Sequence, residues 1–357
     1  MNRPTGPTSP PGSPSPTSPP SPARPARPTL ADVAAVAGVS AKSVSNVLLE
    51  RPGVSAATRE RVLAAVAQVG YAVNPAGRGL VSGRTGRIAV VVPMLYQPYF
   101  AEIAERLILA LEAEGLTTTL RIAPDAAAER DAVVGVTTPD VDGVIICPHE
   151  FISSMIDGVA LTRPVVQLGG GPIDRLDCVV MGEYEGAYAA ARHLLKTGRR
   201  RIALLWNSPD GEEPGGDRYD GYRQAISEAG IEIDPALFAS GSDWDRRVSG
   251  YEAMVGLLRS GVRFDAALCV NDAIAVGALR ALRSHGRTVP GDVAVTGFDA
   301  TDEGEFTTPA LTSVSPRKPE MVARAVSMLV ERLGGYDGPG RHVRTGADLI
   351  VRASSVG

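Results

Sequence analysis

The chain has 357 residues, 44% of them hydrophobic and 21% charged, which is enough for two or three globular domains. Its net charge of −4 conceals an asymmetry, because residues 1–87 carry ten Lys and Arg against three Asp and Glu, a balance of +7, whereas the rest of the chain has a balance of −11. The sequence has no apolar run of 18 residues, which excludes a membrane-spanning protein, and no secretion signal, which predicts a cytoplasmic one. We expect a polyanion to bind only to the basic residues 1–87.

Residues 1–28 form a tail rich in Pro, Ser and Thr, which holds eleven of the 28 prolines. Such a segment cannot bury enough apolar surface to offset the entropy that it would lose on ordering. We therefore predict a disordered tail, although Arg24 and Arg27 leave nonspecific phosphate contacts open.

Residues 29–73 are predicted to form three short helices in a helix-turn-helix arrangement. Gly38 provides the tight turn after the first helix, and Ala34 lets the first two helices approach closely. Ser40 and Ser55 are placed to cap the second and third helices. The residues expected to face inward are Leu30, Val33, Ala34, Ala37, Val44, Val47, Leu48, Val62, Leu63, Val66 and Val69.

The second helix exposes short polar side chains, which suit contacts with base edges and phosphates in the major groove of DNA. Asn46 has the donor and acceptor pair that matches adenine, and Lys42 can donate to the acceptors of guanine. A solvated surface charge is the alternative for Lys42. On this pattern alone, a generic three-helix module also stays open.

From residue 86 onward, apolar runs alternate with amphipathic stretches, a pattern typical of parallel sheets that are covered by helices on both faces. The predicted strands are Arg87–Pro93, Thr117–Ile122, Val141–Pro148, Pro164–Gly169, Arg201–Trp206, Ala266–Asn271 and Val293–Asp299. The predicted helices are Tyr99–Glu114, Glu183–Lys196, Arg218–Ala229, Trp244–Ser260, Asp272–His285 and Pro319–Leu333. Because so many elements exceed one sheet, we predict two α/β lobes with a cleft between them.

Several segments of the headpiece resemble the lactose-repressor/purine-repressor family of bacterial helix-turn-helix transcription regulators. These are Thr29-Leu-Ala-Asp-Val-Ala, Ala37-Gly-Val-Ser, Ser43-Val-Ser-Asn-Val-Leu, Val54-Ser-Ala-Ala-Thr-Arg-Glu-Arg-Val and Gly70-Tyr-Ala-Val-Asn-Pro. The resemblance covers essentially everything after residue 28. It implies a three-helix, lambda-repressor-like headpiece at 29–73 and a hinge helix or linker at 74–85. Residues 86–357 would form a two-lobed, periplasmic-binding-protein-like α/β core for effector binding and dimerisation.

The resemblance also implies which headpiece residues contact DNA. The base-reading positions are Ala41, Lys42 and Asn46, and the phosphate-contacting positions are Ser40, Ser45 and Thr58.

In the hinge, the resemblance implies that Leu80 inserts into a kinked minor-groove step, with Arg78 and Arg84 as phosphate or minor-groove contacts. Gly77 and Gly79 stand where the family usually has alanine. Because each glycine disfavours a helix by about 1 kcal/mol, we expect the free hinge to be disordered and its coupling to DNA to be weak.

The effector-binding positions implied by the resemblance are Tyr99, Phe100, Arg218, Trp244, Asn271 and Asp299. Carboxylate, amide and guanidinium groups around aromatic rings would suit a sugar, because each sugar hydroxyl both donates and accepts hydrogen bonds. His149 and Met181 are further candidates for the cleft. Asp272 is expected to cap its helix rather than touch a ligand, and Trp206 to lie in the core.

Three positions depart from the family's pattern. Gly169 and Gly182 stand where the family often has aspartate, and Pro316 where it often has a polar side chain. These differences keep a second hypothesis open, namely a DNA-binding regulator without any response to a small molecule.

The predicted function is therefore a transcription repressor whose affinity for DNA changes when a sugar or sugar derivative binds between the lobes. One headpiece reads only a half-site, so we expect a homodimer on a pseudo-palindromic operator. The expected cofactor and metal content is none, and Cys147, Cys178 and Cys269 are interpreted as reduced core thiols. An enzyme is disfavoured, because the sequence has no phosphate-binding Gly-rich loop, nucleophile elbow or paired metal-binding His.

Overall fold

The computed structural model describes residues 28–48, 51–71, 84–206, 215–241, 243 and 246–356. The chain divides into two compact units, a headpiece within residues 1–78 and a core within residues 79–357. Residues 1–27 of the predicted tail (1–28) and residues 74–83 of the predicted hinge (74–85), with Arg78 and Leu80, lie outside the described residues, as does Trp244.

The headpiece consists of helices α1 (Leu30–Ala37), α2 (Ala41–Leu48) and α3 (Ala56–Val69). Helix α1 begins with a capping box, in which the side chain of Thr29 accepts from the N–H of Asp32 and the Asp32 carboxylate accepts from the N–H of Thr29 at 2.7 Å. It ends at Gly38, whose φ of +63° lies in the left-handed region that glycine adopts without strain. The glycine therefore makes the predicted turn.

The apolar faces of the three helices meet in one small core. Its buried members are Val33, Ala34, Ala37, Val44, Val47, Val62 and Ala65. The predicted inward position of Leu63 is wrong, because its side chain is 52% exposed. It directly follows Val62, so it lies about 100° away around the helix, and Ala65 takes the inward place instead.

The core contains two six-stranded sheets. The first sheet contains β1 (Arg87–Val92), β2 (Thr117–Ile122), β3 (Gly143–Ile146), β4 (Val165–Leu168), β5 (Asp177–Val180) and β11 (His342–Arg344), in the order β11-β5-β4-β3-β1-β2. The second contains β6 (Ile202–Trp206), β7 (Phe238–Ser240), β8 (Ala266–Cys269), β9 (Ala294–Phe298), β10 (Thr312–Ser315) and β12 (Asp348–Ile350), in the order β12-β10-β9-β8-β6-β7. All strand pairs are parallel except β10 with β12.

Helices separate most of these strands along the chain. They are α4 (Pro98–Ala113), α5 (Ala126–Val134), α6 (Glu183–Lys196), α7 (Asp217–Glu228), α8 (Arg247–Arg259), α9 (Asp272–Ser284) and α10 (Lys318–Leu333). Every strand and helix predicted for the core is present, with ends shifted by three residues at most. Helix α5 and the strands β5, β7, β10, β11 and β12 were not predicted.

The chain crosses between the two sheets three times, after β5, after β10 and after β11. The crossing segments pack against one another so closely that a Cβ at Gly182 would lie 3.0 Å from the carbonyl oxygen of Thr345. A Cβ at Gly346 would lie 2.8 Å from the guanidinium of Arg317. Gly182, which departs from the family's pattern, is thus needed for packing at the junction of the lobes.

Within the described part of the chain, no helix combines the length and the apolar character that crossing a bilayer requires. The three cysteines are buried and free, as predicted.

Candidate ligand cleft and DNA-reading helix

A cavity of about 160 Å³ lies in the core, where several parallel strands reach their carboxyl ends. Pro148, Leu168, Met181 and Asp299 follow or end β3, β4, β5 and β9, so both sheets contribute to its wall. This is the usual location of ligand sites in open α/β sheets. The lining residues are Gln97, Tyr99, Phe100, Pro148, His149, Leu168, Gly169, Gly170, Met181, Glu183, Arg218 and Asp299.

The structure brings together four of the six sequence-predicted effector residues, Tyr99, Phe100, Arg218 and Asp299. His149 and Met181 also line the cavity. Asn271 does not, and its side chain instead accepts the N–H of Ile274 at 2.9 Å and caps α9.

Asp272 is therefore not the cap of α9 that the sequence predicts. Its buried carboxylate accepts hydrogen bonds from the N–H of Thr301 at 2.7 Å and from the hydroxyl of Ser313. These bonds join the loop after β9 to strand β10. Burial raises the pKa of Asp272 to about 6. Asp272 thus fixes the loop that begins with Asp299, without lining the cavity itself.

The guanidinium group of Arg218 is held in place on several sides. It donates to the carbonyl oxygen of Val270 at 2.6 Å and to the carboxylate of Glu183 at 3.0 Å. It also lies over the Phe298 ring, 3.9 Å from the ring centre, in a cation–π contact. These contacts give the cleft a rigid cationic group whose charge is already balanced by Glu183.

Asp299 is the most perturbed acid of the cleft. It is 4% exposed, and burial raises its pKa to about 8, which the nearby Arg218 opposes only in part. Its backbone φ of +102° and that of +44° at Ala300 are uncommon for residues with a side chain. Strained backbone of this kind persists where the surrounding structure holds it, and it is frequent at ligand sites.

Two buried polar atoms of lining residues have no hydrogen-bond partner among the described residues, Oε1 of Gln97 and Nε of Arg218. One is an acceptor and the other a donor. A buried polar group without a partner costs roughly 1–3 kcal/mol, so a rearrangement on ligand binding that gives these two atoms partners gains that free energy.

Aromatic rings form the apolar part of the wall. Tyr99 and Phe100 are buried and meet edge to face with ring centres 5.2 Å apart. Burial raises the pKa of Tyr99 well above its usual value, which keeps the phenol neutral and able to donate a hydrogen bond.

The loop that carries Pro148 and His149 is held by an acid that sequence reasoning missed. The buried carboxylate of Glu129, on α5, accepts the N–H of His149 at 2.6 Å and the N–H of Glu150 at 3.0 Å. Gln97 and Glu183 were also missed as lining residues. Their positions in the sequence could have indicated this role, because Gln97 immediately precedes a helix, Glu183 begins one, and each of these helices follows a buried strand.

Helix α2 of the headpiece carries the predicted DNA-reading residues on its outer face. Ala41 and Lys42 are exposed, and Ser45 and Asn46, one turn further on, are partly exposed. Ser40 caps the helix by accepting the N–H of Ser43 at 3.1 Å. On α3, the hydroxyl of Thr58 lies 2.9 Å from that of the capping residue Ser55.

Comparison with known proteins identifies both units. Residues 29–74 match the model of bacterial regulatory proteins of the lacI family, and residues 191–355 match a periplasmic binding protein-like domain. The chain is 31% identical over 317 residues to the HTH-type transcriptional repressor PurR of Erwinia tasmaniensis, covering 87% of this chain and 92% of that protein. The chain belongs to the lacI family of bacterial regulatory proteins. The resemblance stated from the headpiece segments is thereby confirmed.

Other members of the lacI family are similar over the same length. The HTH-type transcriptional regulator CelR of Thermobifida fusca is 34% identical over 325 residues, which cover 87% of this chain and 94% of CelR. A solved complex of the transcriptional regulator CelR with cellobiose is 32% identical with a TM-score of 0.66, covering 92% of this chain and all of that one. This lacI-family chain is therefore a DNA-binding transcription regulator and not an enzyme, as predicted, with the predicted headpiece and two-lobed core.

Proposed function

We propose that this lacI-family regulator is a repressor whose affinity for operator DNA is controlled by a small, uncharged, hydroxyl-rich molecule, a sugar or sugar derivative, in the cleft between the lobes. The observation that carries this proposal is a single cavity in which Gln97 and Arg218, each with one buried polar atom that lacks a partner among the described residues, stand beside aromatic rings. Sugar hydroxyls supply both kinds of partner.

The charges of the cleft favour an uncharged ligand. Among the described lining residues, Arg218 is the one permanent cation, and it is paired with Glu183 at 3.0 Å. Burial lowers the pKa of His149, so the imidazole is neutral at pH 7. A bound anion would meet the Glu183 carboxylate without a free cation to balance it, whereas hydroxyl donors satisfy carboxylate oxygens.

The relatives support the same function. The PurR relative is named a repressor, and the solved CelR structure is named as a complex with cellobiose. The aromatic pair of Tyr99 and Phe100 provides an apolar surface of the kind that ligand clefts present to ring faces.

The exposed face of α2 supports a role in reading DNA. We propose base contacts by Ala41, Lys42 and Asn46 and phosphate contacts by Ser40, Ser45 and Thr58, from a headpiece at 29–73 joined to the core by a hinge at 74–85. The roles predicted for Arg78 and Leu80 fall on residues outside the described part and stay predictions.

A homodimer would place two headpieces on a pseudo-palindromic operator. We propose that the second copy binds at exposed apolar residues of the core. Phe306 is 79% exposed at the end of a short 3-10 turn, and Glu303 of that turn pairs with Arg247 on α8. Next to Arg247, the exposed Val248 borders a groove with Tyr251. Exposed apolar surface of this kind marks a protein-binding face.

A titration of the full chain on its own promoter fragment tests the effector. We expect at least one sugar of a panel to change DNA affinity and to raise the melting temperature of the protein. Arg218→Met should abolish both responses while leaving DNA binding without sugar intact, whereas Arg223→Met, an exposed arginine on the same helix, should leave both unchanged. DNA binding that no sugar alters, together with no thermal stabilisation, would favour the alternative of a regulator without an effector, which the missing side chain at Gly169 also favours.

A further inference from the structure

Two exposed side chains from different lobes meet beside the ligand cavity. Tyr96 belongs to the lobe of the first sheet, in the loop between β1 and α4, and Arg246 belongs to the lobe of the second sheet, immediately before α8. The guanidinium group of Arg246 stands over the Tyr96 ring, 4.8 Å from the ring centre, in a cation–π contact. Because both partners are protein side chains, the contact needs no ligand group to join the lobes.

The contact lies at the rim of the cavity. Tyr96 is 47% exposed, whereas the next residue, Gln97, is 2% exposed and lines the cavity. The chain therefore passes from the outer surface into the cavity wall between these two residues. If the lobes separate here, the contact between Tyr96 and Arg246 has to break.

The second lobe holds Arg246 in place through a chain of hydrogen bonds. Arg246 donates through Nε to the carboxylate of Asp243 at 3.0 Å, and the N–H of Asp243 donates to Oγ of Ser249 at 2.9 Å. Ser249 is fully buried on α8, so the packing of that helix fixes it. Since Arg246 is already oriented, its contact with Tyr96 costs less side-chain entropy than a contact made by a freely moving arginine.

A second loop of the first lobe faces the same segment. His149 follows β3 and lines the cavity, and the Asp243 carboxylate is close enough to affect its pKa. Burial lowers the pKa of His149, and the carboxylates of Glu150 and Asp243 oppose that decrease. Asp243 therefore faces the first lobe while it also orients Arg246.

Three crossing segments connect the lobes through the backbone, whereas Tyr96 and Arg246 connect them through side chains alone. Such a contact can break without any change in the path of the chain. We propose that Tyr96 and Arg246 form a latch, which holds the lobes together at the rim of the cavity and releases when a molecule enters or leaves. The latch sets how often the cavity opens, whichever molecule the cavity binds. An exposed cation–π pair shifts such an equilibrium by roughly two- to fivefold.

The rate at which a large reagent reaches the cavity measures this opening. Met181 is 5% exposed and lines the cavity of about 160 Å³. In a Met181→Cys reporter chain, a fluorescein maleimide, which is larger than the cavity, reaches position 181 only while the lobes are apart. Cys178 and Cys269 are buried and report unfolding in the same sample, with each labelled site resolved by peptide mass. No sugar is added, so the result does not depend on the proposed effector.

In the reporter chain, Tyr96→Leu and Arg246→Met should each speed labelling at position 181 by roughly two- to fivefold. Both substitutions keep much of the side-chain bulk, so a faster rate reports lobe opening rather than a hole in the wall. Tyr96→Phe, which keeps the ring, should stay near the parent rate. The double variant Tyr96→Leu/Arg246→Met should be no faster than the faster single variant, because one contact is lost only once.

Arg223→Met is the matched control. Arg223 is equally exposed and pairs with an aspartate three residues earlier, Asp220, as Arg246 pairs with Asp243. Its loss should leave the labelling rate unchanged.

Equal labelling rates in the parent chain, Tyr96→Leu and Arg246→Met overturn the latch. Effects that multiply in the double variant also overturn it, because they show that the two residues act independently. If Cys178 and Cys269 react faster by the same factor, the substitutions loosen the fold as a whole, and the latch is again overturned. Faster labelling at position 181 alone, in a chain that no sugar stabilises, leaves the latch standing while the sugar effector fails.

Discussion

Lys318 forms a buried ion pair with Glu102, and the same ammonium group donates to the carbonyl oxygen of Ala300 at 3.2 Å. Lys318 begins α10 immediately after the chain crosses from the second sheet, Glu102 lies on α4 beside the cleft, and Ala300 follows Asp299. The lysine thus connects elements of both lobes next to Asp299, which lines the cavity.

The two partners of this pair should differ in how much they stabilise the fold. Lys318 is 6% exposed on its side chain, whereas Glu102 is more accessible and also pairs with Arg106. Glu102→Gln removes the ion-pair partner of the buried ammonium group, and breaking a buried ion pair costs about 3–5 kcal/mol. Lys318→Met removes the buried charge and should cost less. Urea unfolding of both variants measures the difference, and a greater loss in Lys318→Met would contradict this account.

Asp299 should make the stability of the free protein depend on pH. Burial raises its pKa in the folded protein to about 8, above the ordinary value of 3.8 that we expect on unfolding. The unfolded chain therefore loses this proton first, and the free energy of unfolding falls as the pH rises from about 4 to 8. Asp299→Asn has no proton to lose there.

Melting temperatures between pH 5 and 9 test this dependence. The melting temperature of Asp299→Asn should rise relative to that of the parent chain as the pH rises, by several degrees at pH 8, since 1 kcal/mol corresponds to roughly 2–4 °C in a domain of 150–250 residues. Asn tolerates positive φ, so the variant keeps the backbone. Melting curves that stay parallel over the whole range would show that Asp299 is already ionised at neutral pH.

The fold is predictable from the sequence where burial dictates composition. A parallel strand covered on both faces must be apolar throughout, and β1, β3 and β6 show such runs. Strand β10 carries the buried Thr312 and Ser313, whose polar groups find distant partners: Ser354 accepts the N–H of Thr312 at 2.8 Å, and the hydroxyl of Ser313 donates to Asp272. Those partners lie some forty residues away in the sequence, so the local pattern of apolar and polar residues could not predict that β10 is a buried strand.

The cleft is predictable only in part for a similar reason. Tyr99, Arg218 and Asp299 follow from the resemblance of short segments to a family with known ligand positions. The role of Asn271 could not be read in the same way, because an amide at the end of a strand suits both a ligand site and the cap of the next helix. In the structure, Asn271 caps the helix, because the N–H of Ile274 in its first turn has no partner within the helix and donates to the Asn271 side chain.

The exposed Phe306 should be central to association of the core. If its ring is buried in a dimer, Phe306→Asp removes that contact and places a charge in the interface, which costs roughly 2 kcal/mol or more, about a 30-fold weaker dimer. Light scattering after size exclusion should then give a mass near the 37.2 kDa of one chain. Phe306→Leu, which keeps an apolar group, should remain dimeric. A Phe306→Asp variant of unchanged mass would place the dimer contact elsewhere.

Asn46 should supply sequence discrimination rather than general affinity. It is partly exposed on α2, and the buried Val44 and Val47 on either side of it fix which face of the helix it occupies. An amide that pairs with adenine in the major groove discriminates against other bases by roughly 1–3 kcal/mol, so Asn46→Ala should lose selectivity at one base pair of each half-site. Binding to a set of operators with single substitutions measures this. Thr58→Ala is the matched control, because loss of a phosphate contact weakens all sequences alike and leaves their ranking intact. If Asn46→Ala likewise weakened every operator by the same factor, Asn46 would contact the phosphate backbone, and base reading would fall to Lys42 and Ala41.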